Sequence, residues 1–163
     1  MLSEAEVKAL SQALAIEEEG LSFYHQAADR VADATTRATF SDLARDEEDH
    51  RRMVQAQYQA LAQGRGWLPV PRAVEPADLD KPLFPKGREG LEKAIRRDTA
   101  ELEALWFGLD IENRSFEPYT RLARENPAGR QMYDYLAQAE RTHFNILMMR
   151  YEAALGRSPG WQG

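Results

Sequence analysis

Residues 43–50 read LARDEEDH and residues 136–143 read LAQAERTH, so a glutamate precedes a histidine by three positions twice, at Glu47/His50 and Glu140/His143. On a helix, side chains three apart share a face, and each pair offers an oxygen and a nitrogen donor to one point. Two further glutamates stand in contexts that echo each other: Glu17 in LAIEEEGLSFY (14–24) and Glu112 in LDIENRSFEPY (109–119). Four carboxylates carry a formal charge of −4, which two divalent cations would cancel. Mixed oxygen and nitrogen donors without sulfur suit iron, and manganese or zinc also fits. A single Glu-x-x-His is weak evidence, because the ordinary fate of such a pair is a solvated helix face. Register decides between the two.

The glutamates and histidines fall on stripes that are otherwise apolar. Ser3 with Glu6 forms a capping box, and from it runs Leu10, Leu14, Glu17, Leu21, Tyr24, Ala28, Val31 in steps of three and four. A second stripe, Phe40, Leu43, Glu47, His50, Val54, Leu61, ends at Gly64. Asp98 with Glu101 suggests another capping box, opening Leu102, Leu105, Leu109, Glu112, Phe116, Tyr119, Ala123. Asn126-Pro127 supplies an N-cap and first-turn proline for a fourth helix with Tyr133, Leu136, Glu140, His143, Leu147 and Ala154, stopped at Gly156. Nothing alternates as a strand does, so the fold class is all-α with four long helices. The six polar residues then face the bundle interior. Burying ionised carboxylates without compensation costs several kcal/mol each, against a net stability of about 5–15 kcal/mol. No Lys or Arg lies on those stripes, so the compensation is either protons or bound cations.

The halves repeat. A shift of 95 residues aligns Leu14, Ile16, Glu17, Tyr24 and Ala28 with Leu109, Ile111, Glu112, Tyr119 and Ala123, and a shift of 93 aligns Leu43, Ala44, Glu47 and His50 with Leu136, Ala137, Glu140 and His143. One helical hairpin used twice about a pseudo-two-fold axis explains this, with the site on the axis. Residues 64–88 hold five of the eight prolines and join the second helix to the third. A helix of about 28 residues is about 42 Å long, a span that an extended connection of this size can cover, which leaves the second and third helices parallel. The expected organisation is a single domain over 1–163: hairpin 1 at about 3–63, crossover at 64–97, hairpin 2 at about 98–156. Residues 89–97 have the character of a short additional helix.

With 163 residues the chain is long enough to bury one core, and with no cysteine it contains no thiolate metal site, redox pair or thiol nucleophile. A cysteine-free composition accords with a reducing cytoplasm, and neither a leader-like start nor a bilayer-length apolar run is present, so a soluble, cytoplasmic protein with no membrane partner is expected. The net charge of −6, without a basic cluster, argues against nucleic acid.

IEEEGLSFY (16–24), LARDEEDH, LDIENRSFEPY and LAQAERTH together resemble the four helices of the rubrerythrin-like branch of the ferritin-like di-iron superfamily, over residues 10–150 apart from the crossover. In that superfamily one Glu from each of two helices joins a Glu-x-x-His from each of the others. The resemblance implies a ferritin-like four-helix bundle holding two iron ions, bridged by Glu47 and Glu140, with Glu17 and His50 completing one and Glu112 and His143 the other. It also implies reduction of a small oxidant, peroxide or dioxygen, and a homodimer. Rubrerythrins carry an extra carboxylate three residues after the third-helix ligand, where this chain has Ser115, with Gly20 at the matching place in helix 1. The carboxylate exchange associated with peroxide reduction therefore lacks its residue. Their four-cysteine rubredoxin module has no counterpart here either, so an external electron-donor protein is expected.

Two other functions compete with this one: an iron-handling ferroxidase or storage protein, and a non-catalytic module stapled by metal. Cage-forming storage ferritins use a fifth short helix, whereas only RSPGWQG follows Gly156. Tyr24 and Tyr119, two turns beyond Glu17 and Glu112, either donate hydrogen bonds to site carboxylates or serve as core aromatics. Asp46 is read as a surface residue, the alternative being a contact with the free nitrogen of His143, since the other half has Ala139. His25 lies off the stripe and is expected in solvent. Pro118 lacks the amide that would bond Arg114, so a kink is expected there. Trp67, Trp106 and Trp161 read as packing or interface residues.

Overall fold

The computed structural model describes residues 2–71 and 99–157. Four long helices occupy them: α1 (Glu4–Arg30), α2 (Ala34–Ala62), α3 (Thr99–Glu125) and α4 (Arg130–Arg157). No strand occurs among the described residues, as an all-α bundle requires. No helix among them is long and apolar enough to cross a membrane.

The helix ends follow from local chemistry. Glu6 N donates to Ser3 Oγ at 3.2 Å while Ser3 N donates to Glu6 Oε2 at 2.9 Å, closing the expected capping box. Three residues then turn the chain into α2, where Asp33 Oδ1 accepts from Thr36 N at 2.8 Å. At the far end Gly64 adopts a φ of +72°, which lets Arg65 N reach back to Ala60 O at 2.9 Å and ends the helix where expected.

Two boundaries differ from expectation. Asn126 is not a side-chain cap: its Nδ2 donates backwards to Leu122 O at 3.0 Å, and Pro127–Gly129 forms a single 3-10 turn before α4 begins at Arg130. Asn126 meets the 3-10 turn through its backbone instead, where its carbonyl oxygen accepts from Gly129 N at 3.0 Å. Gly156 does not stop α4, which runs through Arg157. Glycine inside a helix costs only about 1 kcal/mol relative to alanine, and Ala154 is still buried in the core one turn before the end. Pro118 lies inside α3, which continues through it to Glu125. Asp98, the short helix expected at 89–97, most of the crossover and Trp161 lie outside the described residues.

Helix direction can be read from cross-helix contacts. Tyr24 on α1 bonds Glu112 on α3, and Tyr119 on α3 bonds Glu17 on α1. As one number rises the other falls, so α1 and α3 are antiparallel. Since α2 is antiparallel to α1 within the first hairpin, α2 and α3 run the same way, as a long crossover demands. α1 packs on α3 and α2 on α4 between the hairpins. The first residues of the crossover are tied down. Leu68 N donates to Gln57 Oε1 at 2.8 Å and Gln57 Nε2 donates to Leu68 O at 3.0 Å. Trp67 lies over Gly129, where an added Cβ would stand 2.4 Å from the indole. Gln57 occupies a stripe position between Val54 and Leu61, and that placement of an amide was the available signal for the clamp.

The core is split in two. One apolar cluster contains Tyr24, Val31, Phe40, Leu43, Leu105, Leu109 and Leu147, and the other Leu10, Val54, Tyr119, Met132, Tyr133 and Leu136. On every helix the residues between those clusters are the carboxylates and imidazoles.

Candidate metal centre

Glu17, Glu47, His50, Glu112, Glu140 and His143 converge in that middle layer, each 6 % exposed or less. All six sequence-identified positions are brought together. Two groups of four have ligand atoms within 4.8 Å of one another: Glu17, Glu47, His50 and Glu140, and Glu47, Glu112, Glu140 and His143. The groups share Glu47 and Glu140. Each hairpin contributes one shared carboxylate, one imidazole and one terminal carboxylate.

The two halves are laid out alike. His50 Nδ1 is 3.3 Å from Glu17 Oε2, and His143 Nδ1 is 3.5 Å from Glu112 Oε1. Glu47 lies between the imidazoles, with Oε1 3.1 Å from His143 Nδ1 and Oε2 3.6 Å from His50 Nδ1. The rings are near-parallel, 20° apart in plane, with centroids at 5.6 Å. Tyr24 donates to Glu112 Oε1 and Tyr119 to Glu17 Oε1, so each tyrosine crosses from one hairpin to the terminal carboxylate of the other. Ala13 O lies 3.2 Å from the same Tyr119 hydroxyl. At Glu17 the hydroxyl occupies Oε1 and leaves Oε2 to His50, whereas at Glu112 Tyr24 shares Oε1 with His143.

Backbone proximity shapes the same layer. A Cβ on Gly20 would stand 3.1 Å from Glu47 Cδ, so α1 presents bare backbone to that carboxylate. At the matching position Ser115 is buried, and its hydroxyl donates to Ile111 O at 2.8 Å. Asp46 corrects the sequence reading. It is exposed, but its Oδ2 stands 3.4 Å from His143 Nε2, on the side of the ring away from the centre. His25 is exposed, as expected.

Electrostatics expose the cost of this arrangement. Burial pushes Glu17 up to about 8, with the neighbouring charge of Glu47 adding to the rise and His50 opposing it. Burial likewise raises Glu112 and carries Glu140 well above the ordinary range, the latter reinforced by Glu112, Glu47 and Glu17. Burial opposes ionisation of Glu47 too, yet the neighbouring imidazoles of His143 and His50 and the carboxyl of Glu17 prevail and hold it low. For His50, burial would favour the neutral ring, but Glu17 and Glu47 outweigh it and raise the group to about 9. Without metal, then, the charge is balanced by protons held on carboxyls and imidazoles.

That balance leaves bonding capacity unused. Glu17 Oε2, His50 Nδ1, Glu112 Oε2 and Glu140 Oε1 are buried without a hydrogen-bond partner. Buried polar atoms are normally paired, and these four unpaired atoms, on residues of the two groups, are what a metal pair would satisfy. The donor set, oxygen-rich with two imidazoles, fits two divalent ions of the iron, manganese or zinc type.

A family model described as Rubrerythrin matches residues 8–151, which includes every residue of the centre. No curated protein and no solved structure matches the chain. The family match spans all four helices, and the buried carboxylate and histidine cluster they enclose is compatible with a di-iron site. The chain belongs to the rubrerythrin family.

Proposed function

We propose that this protein is a non-haem di-iron oxidoreductase that reduces peroxide or dioxygen with electrons from an external donor protein, working as a homodimer. The observation that carries the reading is that the two metal-ready groups share Glu47 and Glu140, whose sharing would hold two ions side by side. Glu17 and His50 would complete one ion and Glu112 and His143 the other. When bound, iron supplies one electron per ion, the two that cleavage of a peroxide O–O bond to two waters consumes together with two protons.

The chain's own residues supply position and a dry setting. Tyr24 and Tyr119 tether the carboxylates of Glu112 and Glu17, which would hold these side chains in place as charge at the centre changes. In the metal-free fold the carboxyls raised by burial, Glu17 and Glu140 above all, hold protons that bound metal would displace. The two apolar clusters exclude bulk water from above and below the layer. With no cysteine in the chain, the returning electrons come from another molecule.

Rapid mixing of anaerobic ferrous protein with peroxide, and separately with air-saturated buffer, tests the proposal. A ferric near-ultraviolet band that forms within seconds, and disappears again on addition of reductant, is expected with at least one oxidant. Absence of the band with both would defeat the oxidoreductase reading. Continued turnover of added Fe(II) without reductant, in a large assembly, would favour ferroxidase storage, and stable zinc with no redox response would favour a metal staple.

A further inference from the structure

The two halves of the centre match ligand for ligand, but the support behind the imidazoles does not match. Behind His143 stands Asp46, with Oδ2 3.4 Å from Nε2. The position related to Asp46 by the 93-residue repeat is Ala139, which has neither donor nor acceptor. The ring of His50 instead makes a T-shaped contact with Tyr135, with centroids 5.9 Å apart and planes at 88°. Since both histidines turn Nδ1 to the centre, the atom that differs in surroundings is the remote nitrogen of each ring.

A carboxylate accepting from the remote N–H of a metal-binding imidazole fixes the tautomer, holds the ring plane and strengthens the inward nitrogen as a donor. It also adds a negative charge outside the ligand set. His143 has a carboxylate 3.4 Å from its remote nitrogen, and His50 has the ring of Tyr135 beside it. Resting on the two-metal reading above, we infer that the sites are unequal: Asp46 is a positioning residue for His143, and the ion held by Glu112 and His143 binds first and more tightly than the ion held by Glu17 and His50. A centre loaded in that order can hold one ion firmly and exchange the other.

Titration of the metal-free protein with cobalt(II) alone, followed by calorimetry and by visible ligand-field absorption, reads both steps without catalysis. The wild type is expected to bind two ions in steps separated by about tenfold or more, the range in which loss of such support acts. Asp46→Ala should weaken the tighter step by about tenfold and leave the weaker one within about twofold, so the steps merge. Asp46→Asn, whose amide oxygen still accepts from Nε2–H, should recover part of the separation. Circular dichroism of each metal-free variant controls for folding. Two equal steps in the wild type, or equal weakening of both steps by Asp46→Ala, would overturn the inference while leaving the two-metal centre intact. Failure of the wild type to bind cobalt at all would instead remove the centre and the inference together.

Discussion

Gly20 on α1 and Glu47 on α2 are in such close approach that a methyl group at Gly20 would lie 3.1 Å from the carboxyl carbon and 3.3 Å from Oε1. The contact explains why helix 1 carries its one internal glycine directly beside the centre, despite a helix cost of about 1 kcal/mol. Gly20→Ala should therefore separate two properties. The metal-free protein, in which Glu47 is free to shift by a few tenths of an ångström, should keep its melting temperature or gain from the better helix former. Metal affinity, which needs Glu47 in place between the two ions, should fall by about tenfold. Unchanged affinity in a competition titration would mean that the carboxylate position is not set by the glycine.

Glu47 itself gives a sharper case. In the metal-free state it is a buried carboxylate whose charge is supported by His143, His50 and Glu17. Replacing a whole buried charge network by apolar residues is often neutral, but removing one member leaves its partners uncompensated. Glu47→Leu is expected to bind less than one metal ion per chain by elemental analysis and to lower the unfolding midpoint of the metal-free protein in denaturant at neutral pH. An unchanged midpoint would mean that the two imidazoles need no carboxylate between them in the metal-free fold.

Much of this was legible in the sequence because periodicity reports burial. Once Glu17, Glu47, His50, Glu112, Glu140 and His143 were seen to share stripes with leucines and tyrosines, their convergence followed from helix geometry and the internal repeat. Asp46 was harder, since it stands outside the stripe and is more than half exposed; its relation to His143 depends on the rotation of α2 against α4, which a single-helix pattern does not contain. The same limit applies to the tyrosines. Their spacing placed them on the correct faces, but only the antiparallel pairing of α1 with α3 sends Tyr24 to Glu112 and Tyr119 to Glu17, across the hairpins. Asn126 misled because a side chain that suits an N-cap also suits the end of the preceding helix.

The crossing tyrosines should be worth stability as well as position. Tyr119→Phe keeps the ring among Leu122, Tyr133 and Leu136 but leaves Glu17 Oε1 without its donor. An unsatisfied buried acceptor costs about 1–3 kcal/mol, so the metal-free midpoint should drop by that amount, and by less once metal binds Glu17. Phe at position 24 should act alike through Glu112. Equal losses with and without metal would place the whole effect in core packing.

Titration of the centre gives the last expectation, and its sign can be worked out group by group. Glu17 ionises near 4.5 ordinarily and near 8 in the fold, so the folded state favours its protonated form. That contribution to stability is complete below pH 4.5 and is lost as pH rises through about 8. His50, raised from 6.5 to about 9, acts in the same direction over a slightly higher range. Glu47 is lowered, so its contribution is present above its ordinary value of 4.5 and lost only as pH falls below it, outside the window of interest. The melting temperature of metal-free protein should therefore decline from about pH 5 to about pH 9. Glu17→Gln, which has no proton to lose, should flatten part of that slope. Metal should reverse it, since ions displace the protons on their ligands and bind better as pH rises. Uptake of two ions near neutral pH in weak buffer should accordingly release about two or more protons per chain, readable with an indicator dye. A metal-free slope of the opposite sign, or uptake without acidification, would mean that these carboxyls and imidazoles are not the groups that hold the protons.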